Sequence, residues 1–197
     1  STHDGRMHAC GHDGHTAMLL GAAEALSRLR DFDGTVYFIF QPAEEHEGGG
    51  RVMVEEGLFD RFPMDMVFGL HNWPGMAAGS FGVTDGPVMA GTDRFEIEIT
   101  GRGGHAAMPH QAVDVVLAGS ALVQAAQSLV SRNTDPLDSA VVSVTRFQAG
   151  HADNVLPETA VLGGTVRSLN GELQDKLEEG LRRICSGIEA TYRVSID

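Results

Sequence analysis

The chain has 197 residues, of which 42% are hydrophobic and 21% are charged, and its formal net charge at pH 7 is −13. This composition is typical of a globular protein, and the acidic balance without any Lys/Arg cluster argues against nucleic acid as a partner. No apolar run approaches the roughly 20 residues needed to span a bilayer, so we expect a soluble protein that does not act at a membrane.

The two cysteines, Cys10 and Cys185, are too few for a disulfide framework. They favour a reducing compartment, and we therefore expect a cytoplasmic location. The chain begins at Ser1 without a methionine, and residues 193–197 are typical of a strand that is cut short. We expect an internal fragment, so the absence of a signal peptide carries no information on location.

The first motif is the stretch 7–16, which contains three histidines, one cysteine and one aspartate. In an extended segment, residues two positions apart point the same way, so Cys10 and His12 can both face one metal ion. Gly11 between them lets the backbone pass close to that ion. Apolar residues at helical spacing then predict an amphipathic helix over residues 16–29.

Two apolar runs, residues 35–40 and 66–70, predict buried parallel strands. Glu44 and Glu45 follow the first run, and His71 follows the second. Because the carboxyl ends of strands in an open α/β sheet gather at one crevice, we expect these polar side chains to lie close together.

A thiolate, imidazoles and a carboxylate are suitable ligands for zinc or another late divalent ion. The candidate ligands are Cys10, His12, Glu45 and His71. A single histidine or cysteine is more often structural, but the clustering of these residues favours a site. Adjacent Glu44 and Glu45 should point in opposite directions, so that one binds metal while the other acts as a general base. A solvated acidic turn is the alternative interpretation of this pair.

The remaining histidines differ in their expected roles. His8 and His15 are expected to pack near the site or to support its ligands, whereas His46, beside Glu45, is expected to be a decoy. His105 lies in a glycine-rich loop between a predicted strand and a predicted helix, where its side chain can reach out of its own domain. Three more histidines are not expected to be ligands: His3, His110 and His151.

The pattern changes near residue 92, where a second domain is predicted to begin. Residues 94–100 alternate polar and apolar side chains, which is typical of a strand covered on one face. Asp114 is expected to cap a helix. The later predicted elements are strands 140–147 and 160–166, a helix over 172–190 and a strand over 192–196. This order, β-α-β-β-α-β, is that of a ferredoxin-like unit.

Seven motifs of the chain together resemble those of one known family. They are MHACGHDGHT, QPAEE, GLHNWPG, GRGGHAAMPH, SRNTDPLDSAVVSVT, NVLPE and GTVRS. In this order they resemble the dinuclear metallo-aminoacylase and carboxypeptidase family, which includes hippurate hydrolase, N-acyl-amino-acid amidohydrolases and plant indole-acetyl-amino-acid hydrolases. The resemblance covers essentially the whole chain.

The resemblance implies specific residue roles. It implies that the metal ligands are Cys10, His12, Glu45 and His71. Cys10 would bridge two ions, and Glu44 would be the catalytic base. His105 would reach the active site of the partner subunit and stabilise the oxyanion. Asn154 and Arg167 would lie near the carboxylate of the substrate, for which a guanidinium is a suitable fork.

The expected fold class is α/β, with a partial, open, mostly parallel sheet in a catalytic domain over residues 1–92. A ferredoxin-like α+β lid and dimerisation domain is expected over residues 93–197. The resemblance implies a homodimer that hydrolyses N-acyl amino acids with two divalent ions, which could be zinc, manganese, cobalt or nickel. The family also has an aspartate-bearing upstream strand and a downstream ligand histidine that this sequence lacks. We therefore expect weak or absent catalysis by these residues alone.

Two other functions are weighed against the hydrolase. The chain could be a non-catalytic module in which residues 93–197 associate while residues 1–92 bind metal or have a structural role. Redox chemistry at Cys10 is a third hypothesis, but it is disfavoured because no second cysteine lies at CxxC spacing. Metal content together with turnover would separate these hypotheses.

Overall fold

A computed structural model describes residues 2–45 and 48–197, and the chain divides into two compact units. Unit 1 is Ser1–Phe81 and unit 2 is Gly82–Asp197. The boundary between these compact units lies eleven residues before the domain boundary expected after residue 92. Within the described residues, every buried apolar side chain lies in unit 2, between Ile97 and Val194. The expected decoy His46 lies outside the described residues.

Helices are the regular elements in the described part of unit 1. They are α1 (His12–Leu29), α2 (Gly49–Glu55) and α3 (Leu58–Arg61). Helix α1 begins at His12 rather than at the predicted residue 16, so His12 and His15 lie on a helix and not in an extended segment. The physical reason is Gly11, whose left-handed conformation (φ 75°) turns the chain directly into the helix.

The two strands predicted in unit 1 are not formed. Residues 35–40 and 66–70 are described, but neither segment belongs to a strand, and Phe68 is 87% exposed. An apolar run becomes a strand only when a neighbouring backbone supplies N–H and C=O partners. The described part of unit 1 supplies no such ladder, so the parallel sheet expected here is absent from the described residues.

Unit 2 contains two helices and a four-stranded antiparallel sheet. Its elements are β1 (Gly91–Thr100), β2 (Gly104–His105), α4 (Val115–Ser131), β3 (Ala140–Ala149), β4 (Val155–Leu156), β5 (Thr159–Ser168), α5 (Gly171–Tyr192) and β6 (Ser195–Ile196). The main sheet has the order β3-β5-β1-β6, while β2 and β4 form a separate two-stranded ribbon. The main-sheet strands and the helices follow the predicted order β-α-β-β-α-β. The protein is therefore a mixed α/β structure whose sheet is mainly antiparallel.

The core of unit 2 lies between one face of the main sheet and the two helices. On β1, Ile97 and Ile99 are buried, whereas Glu96 before them and Glu98 between them are exposed. The alternating sequence predicts this pattern. Ile99 packs with side chains such as Leu122 of α4 in the same buried cluster. Each fully buried side chain of this size contributes about 1.5–3 kcal/mol, so this cluster is the main source of stability in the described chain.

The helix ends of unit 2 confirm one prediction and correct another. Asp114 caps α4, since its Oδ1 accepts from the backbone N–H groups of Val116 (2.9 Å) and Leu117 (3.0 Å). Helix α5 continues to Tyr192, so the last strand begins at Ser195 rather than at residue 192. Among the described residues, no helix is both long and apolar enough to cross a membrane.

A close approach at Gly164 in the central strand β5 gives a test of this packing. Gly164 pairs with Phe95 on β1 and with Val144 on β3. A Cβ at this position would overlap the carbonyl oxygen of Ser143 and the ring of Phe95. The missing side chain therefore lets the Phe95 ring lie directly over the strand.

We predict that Gly164→Ala destabilises unit 2 by about 1–3 kcal/mol, because backbone and a packed ring must both shift. Urea unfolding followed by far-UV circular dichroism measures the change. Gly171→Ala is the matched control, since a Cβ there meets nothing within 4 Å. Equal unfolding midpoints for the two variants would contradict the packing described here.

Candidate metal centre

Three segments of unit 1 converge at His12. One possible metal-binding group consists of Cys10, His12 and His71, and a second consists of His12, Glu44 and Glu45. Within each group, the candidate ligand atoms all lie within 4.8 Å of one another. The structure therefore brings together every ligand candidate that the sequence predicts, and it adds the second carboxylate, Glu44, to them.

Both carboxylates face the same imidazole. Nε2 of His12 lies 3.6 Å from Oε2 of Glu44 and 3.5 Å from Oε1 of Glu45. The prediction that the two side chains point in opposite directions is wrong, because the residues lie in a turn and not in an extended strand. Ala43 before them has a positive φ of 50°, which reverses the chain and presents both carboxylates on one side.

His71 presents one nitrogen to the site and uses the other to hold its ring. Its Nδ1 lies 2.6 Å from the carbonyl oxygen of Asn72, which can only accept, so Nδ1 carries the hydrogen. Nε2 then carries the lone pair, and it lies 3.4 Å from Sγ of Cys10. A backbone carbonyl on the far nitrogen is the usual way in which a ligand histidine is oriented.

Asn72 is the site residue that the sequence reasoning missed. Its side-chain Nδ2 donates to the carbonyl oxygen of Gly11 (3.0 Å), and its backbone N–H donates to Nε2 of His15 (3.1 Å). A single asparagine in a loop gives no spacing pattern. The signal that could have found it is its place next to His71 in the GLHNWPG motif.

Aromatic rings surround the candidate ligands. The His15 ring lies 5.2 Å from the His12 ring and 4.3 Å from the His71 ring, measured between centroids. The Trp73 ring lies 6.2 Å from that of His71. His8 contributes its carbonyl oxygen, which accepts from the N–H of Gly11. The position of His15 agrees with the expectation that it packs against the ligands.

The electrostatics of the centre favour a cation. Desolvation, followed by the negative charges of Glu45 and Glu44, raises the pKa of the Cys10 thiol. Cys10 is a free thiol, and a divalent ion beside it would favour the thiolate instead. Sulfur, imidazole nitrogen and carboxylate oxygen at these separations fit the ligand preferences of zinc and of similar divalent ions.

Two of the predicted site residues of unit 2 lie at the β2–β4 ribbon, His105 on β2 and Asn154 in the turn directly before β4. His105 on β2 pairs with Val155 on β4, and the N–H of Ala106 donates to the carbonyl oxygen of Asn154 (3.0 Å). Nδ1 of His105 accepts from the N–H of Ala107 (3.1 Å), so in the neutral ring Nε2 carries the hydrogen. His105 is exposed and can donate from this nitrogen to a ligand.

Arg167 lies at the other end of unit 2. The ribbon adjoins the start of β5 at Thr159, whereas Arg167 is near the end of that strand, roughly 25 Å away at the usual rise per residue. Nη1 of Arg167 donates to Oγ1 of Thr92 (2.6 Å), and its side chain lines an open groove of about 670 Å³. Within unit 2, the structure therefore does not bring Arg167 close to His105 or Asn154.

Comparison with known proteins shows which proteins this chain resembles. Residues 1–186 match peptidase family M20/M25/M40. N-acetylcysteine deacetylase of Bacillus subtilis (strain 168) is 47% identical over 190 residues, which are 96% of this chain and 50% of that protein. Hippurate hydrolase of Campylobacter jejuni is also 47% identical over 190 residues, covering 96% of this chain and 49% of that protein.

A solved structure agrees with this match. The dinuclear metal-binding peptidase of the M20 family from Bacillus subtilis is 40% identical and superposes with a TM-score of 0.77. The alignment covers all of this chain and 49% of that one. The chain thus spans about half the length of the curated relatives it matches.

We predict that zinc binding changes the fluorescence of Trp73, the one tryptophan of the chain, because its ring adjoins that of His71. Cys10→Ser should weaken zinc binding by more than about tenfold, since loss of an outer partner alone costs that much. A fluorescence titration measures the affinity. Cys185→Ser on α5 is the matched control and should bind zinc like the parent. Equal losses of zinc affinity in both variants would refute the assignment of the Cys10 thiol to the centre.

Proposed function

Because this chain belongs to peptidase family M20/M25/M40, we propose that it forms part of a metal-dependent amidohydrolase acting on N-acyl amino acids. The observation that carries this proposal is the convergence of a thiol, two imidazoles and two carboxylates around His12. The relatives named as a deacetylase and as hippurate hydrolase support the same class of reaction.

The proposed ligands would hold two divalent ions. They are Cys10, His12, Glu45 and His71, which the described part of unit 1 brings together. Zinc, manganese, cobalt and nickel all accept this donor set, and availability decides among them. When bound, such ions supply Lewis acidity that polarises a carbonyl and lowers the pKa of water. A relative described as dinuclear supports the number of ions.

Glu44 is the proposed general base. It is exposed and lies beside His12, so it can reach both a water molecule and a substrate. In this mechanism Glu44 takes a proton from the attacking water and passes it to the nitrogen of the leaving amine. The carboxylate of Glu45, at nearly the same distance from His12, acts as a ligand instead.

The side chains of unit 2 have substrate-binding roles in this proposal. Nε2–H of His105 donates to the carbonyl oxygen as negative charge develops on it. Asn154, in the turn directly before β4, contacts the substrate beside His105, and Arg167 binds the substrate carboxylate. Because the ribbon and Arg167 lie at opposite ends of β5, we assign them to two different active sites of a homodimer. His105 and Asn154 would serve the partner's site.

A second candidate function is a non-catalytic module that associates through unit 2. Among the described residues, all buried apolar side chains lie in unit 2. This observation favours the module. The hydrolase releases amino acid from N-acyl amino acids, whereas the module does not. The cytoplasmic location and the dimer remain predictions.

The direct test uses the full-length enzyme of which this chain is proposed to form part. It measures release of free amino acid from N-acetyl and N-benzoyl amino acids, including hippurate, with and without added zinc or manganese. Metal-dependent release supports the hydrolase. Bound metal without release from any of these substrates by the metal-loaded full-length enzyme would overturn it and leave the module.

We predict that Glu44→Gln in the metal-loaded full-length enzyme retains metal but loses turnover by about 100-fold or more, because the amide cannot accept a proton. Glu45→Gln should lose both turnover and bound metal. Elemental analysis and an amine-release assay measure the two properties on the same samples. Turnover near the parent level in Glu44→Gln would exclude the general-base role.

We predict that His105→Ala in the full-length enzyme lowers kcat by about 100-fold or more while metal content stays constant, because one donor to the developing charge is lost. His110→Ala is the matched control, since His110 is an exposed histidine five residues further along the same segment. Steady-state kinetics measure the effect. An unchanged kcat in His105→Ala would contradict the assignment.

A further inference from the structure

We propose that Asn72 and His15 position the imidazole of His71 for metal binding. We call the group formed by Gly11, His15, His71 and Asn72 the Asn72 clamp. Neither Asn72 nor His15 is a proposed metal ligand or catalytic residue. The inference rests on the proposed role of His71 as a ligand, and it assigns positioning roles to two further residues.

Three hydrogen bonds meet at Asn72. The backbone N–H donates to Nε2 of His15 (3.1 Å), and the side-chain Nδ2 donates to the carbonyl oxygen of Gly11 (3.0 Å). The backbone oxygen accepts from Nδ1 of His71 (2.6 Å). One residue thus joins the start of α1 to the segment that carries His71, although the two lie about 60 positions apart in the sequence.

His15 acts in this clamp as an acceptor. Its Nε2 lone pair receives the N–H of Asn72, so that nitrogen is not available to a metal ion. The three rings form a triangle, with centroid distances of 5.2 Å from His15 to His12, 4.3 Å from His15 to His71 and 6.1 Å from His12 to His71. His15 therefore holds the Asn72 backbone by a hydrogen bond and packs against the rings of two candidate ligands.

Gly11 permits the close approach of Asn72. Gly11 has a positive φ of 75°, and a Cβ on it would overlap the side-chain amide of Asn72. Glycine is needed at this position for both reasons. The structure thus shows that Gly11 makes room for the side chain of Asn72. The close approach of its backbone to a metal ion, expected from the sequence, stays a prediction.

The clamp matters because apolar packing does not hold these residues. No apolar side chain is buried in unit 1 as far as it is described, so the position of His71 depends on hydrogen bonds. A partner that fixes the orientation of a ligand histidine typically contributes 10–100-fold to metal affinity. Loss of the clamp should therefore appear in the affinity itself and not only in turnover.

The test compares three substitutions at His15. The amide oxygen of glutamine can take the place of Nε2, whereas that of asparagine corresponds to Nδ1 and does not reach Asn72. We expect His15→Gln to bind zinc within about threefold of the parent, and His15→Ala and His15→Asn to bind about 10–100-fold more weakly. Competition with a chromophoric chelator measures the affinity, and His151→Ala, on a loop of unit 2, is the control.

The outcomes separate the clamp from the proposed function. Equal zinc affinity in all three His15 variants, or a loss in His15→Gln as large as in His15→Ala, overturns the clamp. Absence of zinc binding by the parent also overturns it. If the pattern holds but the full-length enzyme releases no amine from N-acyl amino acids, the hydrolase fails and the clamp stands.

The side chain of Asn72 gives an independent check. Asn72→Ala removes the bond to Gly11 and keeps the two backbone bonds, so we expect zinc affinity to fall by about tenfold. Asn133→Ala, in the exposed turn after α4, is the matched control. Zinc affinity at the parent level in Asn72→Ala would remove its side chain from the clamp.

Discussion

The hydrogen bonds of Asn72 hold together the part of the molecule that carries its chemistry. They join the start of α1 to the segment of His71, and this junction brings His71 to Cys10 and His12. A single hydrogen bond contributes about 0.5–1.5 kcal/mol net, so this junction is modest in energy. A bound cation would add to it, since ligands from separate segments become linked through one ion.

Unit 2 obeys a different constraint. Its sheet and its two helices enclose the apolar core, and the central strand β5 sets fixed distances along the surface. His105 lies on the separate β2–β4 ribbon, whose strand β4 comes directly before the start of β5, whereas Arg167 is near the end of β5. This separation supports the proposed assignment of the two groups to different active sites of a homodimer.

Sequence reasoning succeeded where local patterns decide the structure. The alternation in β1 and the Asp114 cap of α4 are local, and both are present. It failed for residues 35–40 and 66–70, because a strand depends on a neighbouring backbone that apolar periodicity does not reveal. The ligand candidates were identified by chemical type, but the turn at Ala43 and the contacts of Asn72 depend on backbone conformation and tertiary approach.

The exposed apolar runs of unit 1 have a consequence for the behaviour of the chain in solution. Residues 35–40 are rich in β-branched and aromatic side chains and carry no charge, and their backbone has no strand partner among the described residues. Such a segment is a template for pairing with an identical segment of another molecule. Unless another surface covers it, this segment favours concentration-dependent aggregation through intermolecular β-pairing, a property distinct from any specific dimer contact of unit 2.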